Sequence, residues 1–190
     1  MSERSFSFSI EPWSVEQENK EYNTPIFNLL HRKMKLQSTE ESSVGDFYVL
    51  EAPEWINVIP LTTENEIILV EQYRYGTQEP TLEIPGGMVD AGEDPLLGAK
   101  RELLEETGYE SDTWKSLGKV SANPAIMTNY THMYVAEDCT WTGSENPDTH
   151  ERINVHKMPV EDFLGLVADG TVHHAIVLAA VARYLLRREM

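Results

Sequence analysis

The sequence has little cysteine and no long apolar run, and each shortage excludes a class of protein. Cys139 is the single cysteine among 190 residues. An intrachain disulfide framework is therefore excluded, and a reducing, cytoplasmic location is expected. The N-terminal segment lacks an apolar core of signal-peptide length, and no stretch approaches the length of a membrane span, so no membrane partner is expected.

Positive charge is also scarce. Fifteen Lys and Arg residues face 32 Asp and Glu residues, which leaves a formal net charge of −17. Such a surface repels the phosphates of nucleic acids, so no nucleic acid partner is expected. A small anionic substrate remains compatible with this charge if metal cations or locally placed arginines reverse the field at the site.

The pattern of apolar residues divides the chain near residue 45. Residues 1–45 mix short apolar runs with polar breaks, such as 14–23, and predict a small N-terminal β extension. Residues 46–190 form the main domain. Its strands are predicted at 47–52, 55–61, 66–75, 81–85, 132–138 and 152–158, and its last helices at 160–170 and 173–189. This order predicts an α/β domain with a mixed sheet packed between helices.

A further helix is predicted between Pro95 and Thr107. Asp94 before Pro95 is a helix-start signal, because the side chain can cap the first turn and proline suits that turn. Gly108 is suited to end the helix in the left-handed conformation. A glycine inside a helix costs about 1 kcal/mol of stability relative to alanine. Gly98 is therefore expected to serve close packing against the helix backbone.

Three glutamates and an arginine share one side of this helix, because Glu102, Glu105 and Glu106 lie three or four positions apart and Arg101 is four before Glu105. Arg101 alone cannot relieve the repulsion among three carboxylates, whereas a divalent cation would. Oxygen ligands suit Mg²⁺ or Mn²⁺ better than zinc. The other interpretation is a solvated acidic face. The opposite side is predicted to pack on the sheet through Leu96, Ala99, Leu103 and Leu104.

The residues around these acids decide between the two interpretations. Five residues separate Gly87 from Glu93, and seven more separate Glu93 from the pair Arg101-Glu102. The fixed positions are Gly87, Glu93, Arg101, Glu102, Leu103, Glu105, Glu106, Gly108 and Tyr109. Residues 87–109 resemble the Nudix box at every one of them. A chance match of this kind is rarer than about one in a million.

The resemblance to Nudix hydrolases implies both a fold and a metal site. The fold is an α/β/α sandwich in which the box forms a loop, a helix and a loop. By resemblance, the metal ligands are Gly86 through its carbonyl, Glu102, Glu105 and Glu106. Arg101 and Glu93 would orient the helix face. Bound Mg²⁺, or Mn²⁺, would neutralise a diphosphate and activate water for attack on phosphorus.

Beyond the box, the chain is similar to the branch that cleaves ADP-ribose and nucleoside diphosphate sugars. Arg74 and Glu83 match residues that contact the substrate in that branch. Pro124 lies 16 residues after Gly108, a spacing associated with ADP-ribose specificity, although Asn123 and Ala125 stand where Ser-Pro-Gly is common. The expected substrate is a small nucleoside diphosphate, cleaved to a nucleoside monophosphate and a sugar phosphate. The resemblance also implies a homodimer formed through the N-terminal region.

The loop before the last strand leaves the general base open. The branch commonly offers two glutamates one residue apart in this loop. Glu151 matches the second glutamate and is predicted to be a metal ligand and a catalytic residue, but Thr149 occupies the first position and cannot act as a base. The base could be Glu151 or Glu105. Asp148, His150 and Glu145 are the other candidates.

Two alternatives to this function remain open. The same chemistry could act on another substrate, such as a dinucleoside polyphosphate, coenzyme A or a nucleoside triphosphate. A Nudix module could also bind a nucleotide without cleaving it, although such modules usually have eroded box carboxylates. His173 and His174 are interpreted as a helix start with no catalytic role.

Overall fold

The computed structural model describes residues 6–37, 43–143 and 152–188. The chain divides into two compact units. The first contains Met1–Ala52 together with Asn123–Thr128. The second contains Pro53–Ala122 together with Asn129–Met190, and it carries residues 87–109.

The first unit is built on an antiparallel sheet of three strands, in the order β1-β2-β3. The strands are β1 (Trp13–Asn23), β2 (Asn28–Leu36) and β3 (Val44–Glu51). The polar break expected at 14–23 is wrong, because these residues form most of β1. An edge strand is stabilised by backbone hydrogen bonds to one neighbour, and charged exposed side chains suit it, so β1 needs no apolar alternation.

The second unit contains eight strands and three helices among its described residues. They are β4 (Trp55–Pro60), β5 (Glu66–Arg74), β6 (Glu79–Glu83), α1 (Pro95–Thr107), β7 (Tyr109–Glu110), β8 (Thr113–Val120), β9 (Thr131–Glu137), β10 (Thr140–Trp141), β11 (Ile153–Pro159), α2 (Val160–Ala168) and α3 (Ala175–Arg188). One sheet has the order β4-β9-β8, with β4 and β9 parallel and β8 antiparallel. The other has the antiparallel order β11-β5-β6, and β7 pairs with β10.

The core lies on both faces of these sheets, because side chains alternate along each strand. In β4, Ile56 and Val58 pack in one apolar cluster with α1, whereas Ile59 packs in a second cluster with α2 and α3. In β5, Ile68 joins the first cluster and Leu69 the second. Helices therefore cover both faces, and the predicted α/β/α sandwich with a mixed sheet is confirmed.

Most predicted elements of the second unit appear in the structure within a few residues. The last helix begins where the histidine pair suggests, since the N–H of Leu178 donates to the carbonyl of His174 at 3.0 Å. Strand β8 was not predicted. None of the described helices is long and apolar enough to cross a membrane.

Cys139 packs in the apolar cluster beneath α1 and is 5% exposed. Burial raises the pKa of its thiol to about 12, and the charge of Asp138 adds to this effect. A thiol so protonated is a poor nucleophile. Cys139 is thus a core residue.

Candidate active site

Helix α1 begins and ends at the residues that the sequence predicts. The side chain of Asp94 accepts a hydrogen bond from the N–H of Leu96 at 2.9 Å, and Pro95 occupies the first turn. At the other end Gly108 adopts φ 70°, and its N–H donates to the carbonyl of Leu104 at 2.8 Å. Both caps satisfy backbone groups that would otherwise lack partners, which fixes the length of the helix.

The side of α1 that packs on the sheet differs in part from the prediction. Ala99 and Leu103 are fully buried, and Leu96 is half-buried. Leu104, however, is 37% exposed, so its predicted place in the core is wrong. The buried stripe continues through Thr107, four residues after Leu103, and Leu104 lies about 100° away from that stripe.

On the outer side of α1, Arg101 binds three carboxylates and one backbone carbonyl. Its Nη2 donates to Glu93 Oε2 at 3.0 Å and to the carbonyl of Met88 at 3.1 Å. Its Nη1 donates to Glu102 at 2.8 Å and to Glu105 at 3.1 Å. The hydrogen bond with Glu93 is the main reason that the pKa of Arg101 is raised above its ordinary value, and it lowers the pKa of Glu93 in turn.

Glu106 points to the strand-like segment that leads into the box. It is 3% exposed, and its Oε2 accepts a hydrogen bond from the N–H of Gly86 at 2.9 Å. The carbonyls of Pro85 and Gly87 instead accept hydrogen bonds from β4, each at 2.9 Å. In an extended segment the N–H and C=O of one residue point to the same side, so the carbonyl of Gly86 is directed to the side of Glu106.

Three glycines allow close approaches around the site: two of them admit a carboxylate, and Gly86 admits the neighbouring strand β4. A Cβ atom at Gly87 would collide with the carboxylate of Glu102, and one at Gly86 would collide with the carbonyl of Ile56 at 2.5 Å. A Cβ at Gly98 would lie 3.0 Å from Glu93 Oε2. The close approach predicted at Gly98 is therefore present, and its neighbour is a box carboxylate.

We call Glu93, Glu102, Glu105 and Glu106 the carboxylate cluster. Within residues 6–37, 43–143 and 152–188, no three Asp, Glu, His or Cys side chains are arranged as a metal site. In the cluster, Glu102 and Glu105 turn to Arg101, and Glu106 turns to a backbone amide. Among these described contacts, three of the four carboxylates share the guanidinium of Arg101, so the oxygen donors of the cluster carry excess negative charge. Such a donor set fits a hard divalent cation.

Arg74 and Glu83, the predicted substrate-binding residues, contact each other. Arg74 Nε donates to Glu83 Oε1 at 2.8 Å, and Arg74 Nη2 donates to Oε2 at 2.7 Å. Thr81 Oγ1 donates to Oε1 at 2.6 Å, and His174 Nδ1 lies 2.7 Å from Oε2. We call Arg74, Thr81, Glu83 and His174 the Glu83 cluster.

Glu83 is ionised although it is only 1% exposed. Burial is the largest effect and raises the pKa of its carboxyl, but the hydrogen bonds from Arg74, His174 and Thr81 together outweigh burial and hold the pKa far below its ordinary value. The sequence did not reveal His174 as part of this site. It lies 91 residues after Glu83 in no recognisable motif, so only the tertiary fold brings the two together.

The sequence also singled out residues of two further segments. Glu151 falls outside the described residues, as do the remaining base candidates of that loop: Glu145, Asp148, Thr149 and His150. Pro124 belongs to the segment Asn123–Thr128 of the first unit. In that segment the N–H of Ile126 and the N–H of Met127 both donate to the carbonyl of Asn123, which indicates a turn.

Comparisons with known proteins agree with this architecture. The NUDIX domain family matches residues 54–181. A methanol dehydrogenase activator of Bacillus methanolicus is 32% identical over 144 residues, which are 74% of this chain and 76% of that protein. An ADP-ribose pyrophosphatase of Bacillus subtilis is 33% identical over 145 residues, again 74% and 76%. A crystal structure of an ADP compounds hydrolase has a TM-score of 0.79 at 22% identity and covers 96% of both chains, which shows the shared fold.

The match covers well over half of the chain and includes α1 with both of its flanking loops. The chain belongs to the Nudix family, and it is a Nudix pyrophosphohydrolase. The carboxylate cluster lies within the matched residues.

Proposed function

We propose that the protein hydrolyses the diphosphate bond of ADP-ribose or of a nucleoside diphosphate sugar, giving a nucleoside monophosphate and a sugar phosphate. The observation that carries this proposal is the position of two complementary sites. The Glu83 cluster offers an arginine, and the carboxylate cluster offers oxygen ligands. Glu83 and Gly86 are three residues apart, at most about 11 Å along an extended chain. The similarity to the ADP-ribose pyrophosphatase of Bacillus subtilis supports ADP-ribose as the substrate.

The proposed metal ligands are Glu102, Glu105, Glu106 and the carbonyl of Gly86, with Glu151 as a further ligand. A bound Mg²⁺ or Mn²⁺ ion would neutralise diphosphate charge and lower the pKa of a coordinated water. Burial of Glu106 and its fixed hydrogen bond to Gly86 support its place in this set. Arg101 supports it as well, because one guanidinium holds Glu102 and Glu105 together on the same side of α1.

Arg74 is proposed to bind the diphosphate. Its side chain is 41% exposed, so a ligand can reach it, and its guanidinium presents five N–H donors in a planar fork. Arginine forms bidentate contacts with phosphate oxygens, which would set the position of the diphosphate. The buried carboxylate of Glu83 accepts hydrogen bonds from this arginine. In this proposal, Glu83 determines how the guanidinium is oriented toward the substrate.

Glu105 and Glu151 are the proposed catalytic carboxylates. The side chain of Glu105 is 39% exposed, the largest exposure among the cluster members that contact Arg101. Water can therefore reach Glu105, whereas buried Glu106 is better placed to hold a metal. A general base must come within hydrogen-bonding distance of the attacking water, and accessibility is its first requirement.

A substrate panel tests the proposal directly. Purified protein with Mg²⁺ is given ADP-ribose, nucleoside diphosphate sugars, dinucleoside polyphosphates, coenzyme A and nucleoside triphosphates. Product monophosphates are measured as inorganic phosphate after treatment with a phosphatase. Hydrolysis of ADP-ribose or a diphosphate sugar is expected. Hydrolysis of another member alone would replace the substrate, and tight binding without turnover of any member would favour a nucleotide sensor.

We propose also that the protein is a cytoplasmic homodimer, with an N-terminal β extension over residues 1–45 and a Nudix domain over residues 46–190. Exposed aromatic residues of the first unit, such as Trp13 at 40%, Phe47 at 44% and Tyr48 at 58%, support contact with a second chain. Light scattering should give twice the mass of one chain. A single-chain mass at micromolar concentration would contradict the dimer.

A further inference from the structure

Glu83 is bound by four donors, two on each carboxylate oxygen. Oε1 accepts from Arg74 Nε and Thr81 Oγ1, and Oε2 accepts from Arg74 Nη2 and His174 Nδ1. An ionised carboxylate has about four lone-pair sites and donates nothing. All four sites are therefore in use, and Nδ1 must carry the ring proton of His174. The carboxylate cannot rotate without breaking at least one of these bonds.

The four bonds come from different parts of the fold. Arg74 and Thr81 lie on the paired strands β5 and β6, so local strand pairing already brings them near Glu83. His174 lies in the segment before α3, and its bond joins that segment to β6. Its imidazole joins Glu83, the carboxylate that binds Arg74, to the start of α3.

We propose that His174 is a positioning residue, which holds Glu83 so that Arg74 presents its guanidinium to the diphosphate of the substrate. The inference rests on the proposed function, in which Arg74 binds the diphosphate. Arg74 is half-exposed, and an arginine side chain has about 2 kcal/mol of rotamer entropy to lose on binding. A carboxylate that is locked in place reduces this loss, because the guanidinium is already oriented before the substrate arrives.

The neighbouring histidine provides a matched control. His173 Nε2 lies 3.4 Å from Glu79 Oε1, and the two side chains are 46% and 50% exposed. Exposed ion pairs of this kind contribute little to the stability of the folded protein. A substitution at His173 therefore changes the same segment by one imidazole without touching the Glu83 cluster.

Two isosteric substitutions separate a positioning role from a structural one. In H174N the amide nitrogen can occupy the place of Nδ1 and donate to Glu83, whereas in H174Q the amide nitrogen falls nearer the place of Nε2. H174L removes the donor altogether. We expect H174L and H174Q to raise KM for the substrate about tenfold, the effect of losing one hydrogen bond to a charged group, with kcat changed less. H174N should stay within about threefold of the wild type, and H173L should match it.

A second readout needs no turnover. The ¹⁵N–¹H signal of Arg74 Nε, identified by its loss in R74K, reports the bond to Glu83 in the substrate-free protein. We expect this signal to shift or broaden in H174L and H174Q and to be restored in H174N. If the wild type hydrolyses no diphosphate, the proposed function fails, and the Arg74 signal still decides whether His174 holds the guanidinium.

Three results would overturn the positioning role. The first is an unchanged KM and an unchanged Arg74 signal in H174L. The second is an equal loss in H174N and H174L, since the restored donor would then have no effect. The third is an equal loss in H173L, which would indicate a general disturbance of the segment before α3. Melting curves identify a variant that fails to fold, and the comparison of H174N with H174Q then carries the test.

Discussion

The two carboxylate sites of the second unit differ in how many donors and positive charges the protein provides for each carboxylate. In the Glu83 cluster, one buried carboxylate receives four hydrogen bonds from three side chains, including both ends of an arginine fork. In the carboxylate cluster, a single guanidinium serves Glu93, Glu102 and Glu105, while Glu106 binds a backbone amide. Protein groups alone complete the first site. The second keeps excess negative charge.

This difference indicates what each site needs from solution. A carboxylate whose acceptor sites are all occupied is a structural anchor, and it gains nothing from an added cation. Four neighbouring carboxylates, of which three share one guanidinium, are destabilised by mutual repulsion, which an added divalent cation would relieve. The carboxylate cluster therefore favours the binding of a divalent cation. The Glu83 cluster instead holds the guanidinium of Arg74 through two hydrogen bonds.

The largest expected effect comes from removing one charge of the carboxylate cluster. E106Q keeps the size of the side chain but loses a metal ligand, so we expect kcat to fall at least about 100-fold, or about 2.7 kcal/mol of transition-state stabilisation. Steady-state assays with Mg²⁺ measure this fall, and circular dichroism checks the fold. E110Q is the control, because Glu110 is exposed and follows the same helix. Turnover in E106Q equal to that of the wild type would refute the metal assignment.

The second prediction concerns added metal. Mg²⁺ or Mn²⁺ at 100 times its dissociation constant should stabilise the wild type by about 2.7 kcal/mol, since binding to the folded state alone shifts unfolding by mass action. Denaturant titrations at constant ionic strength measure the shift, with Na⁺ as the control ion.

The two clusters should separate in this experiment. E83Q should keep the stabilisation by metal, whereas E106Q should lose most of it. An equal response in both variants would remove the contrast between a completed site and a charge-rich one.

A third prediction follows from the low pKa of Glu83. A carboxyl whose pKa is lower in the folded protein stabilises it above the ordinary value of 4.5, and this stabilisation is lost as the pH falls below that value. E83Q should cost about 2 kcal/mol at pH 7, because the hydrogen bonds to a charged group are weakened. The difference between wild type and E83Q should shrink steadily below about pH 4.5.

Urea unfolding at several pH values measures this difference. E79Q is the matched control, since Glu79 begins the same strand but is exposed, and its effect should be small and flat with pH. A pH-independent difference between wild type and E83Q would mean that Glu83 is not the ionised anchor described above.

The smallest expected effect is at Gly98. Alanine in a helix is favoured over glycine by about 1 kcal/mol, but a Cβ here would lie 3.0 Å from Glu93 Oε2 and would displace that carboxylate slightly. G98A should therefore gain less stability than G165A in α2, where a Cβ meets nothing within 4 Å. Thermal melts of both variants compare the gains. An equal gain would show that Glu93 adapts without cost.

Local sequence was sufficient for the box helix because its determinants are local. Asp94, Pro95 and Gly108 act within one turn of the chain, and the spacing of Glu102, Glu105 and Glu106 defines one side of any helix they occupy. The polar stretch at 14–23 misled the strand prediction, since an edge strand lacks the apolar alternation that marks a half-buried one. The prediction that Leu104 lies in the core was wrong, because the orientation of the helix on the sheet determines which of its apolar residues are buried.

The sequence by itself determined the family, the α/β/α architecture and the side of α1 that carries the acids, because each depends on fixed spacings along the chain. Only the tertiary structure decided how those acids are partnered. It placed Glu106 against the amide of Gly86, gathered three carboxylates around Arg101, and brought His174 to Glu83 across 91 residues. Hydrogen bonds depend on distance in space, and distance in space is set by packing rather than by position in the sequence.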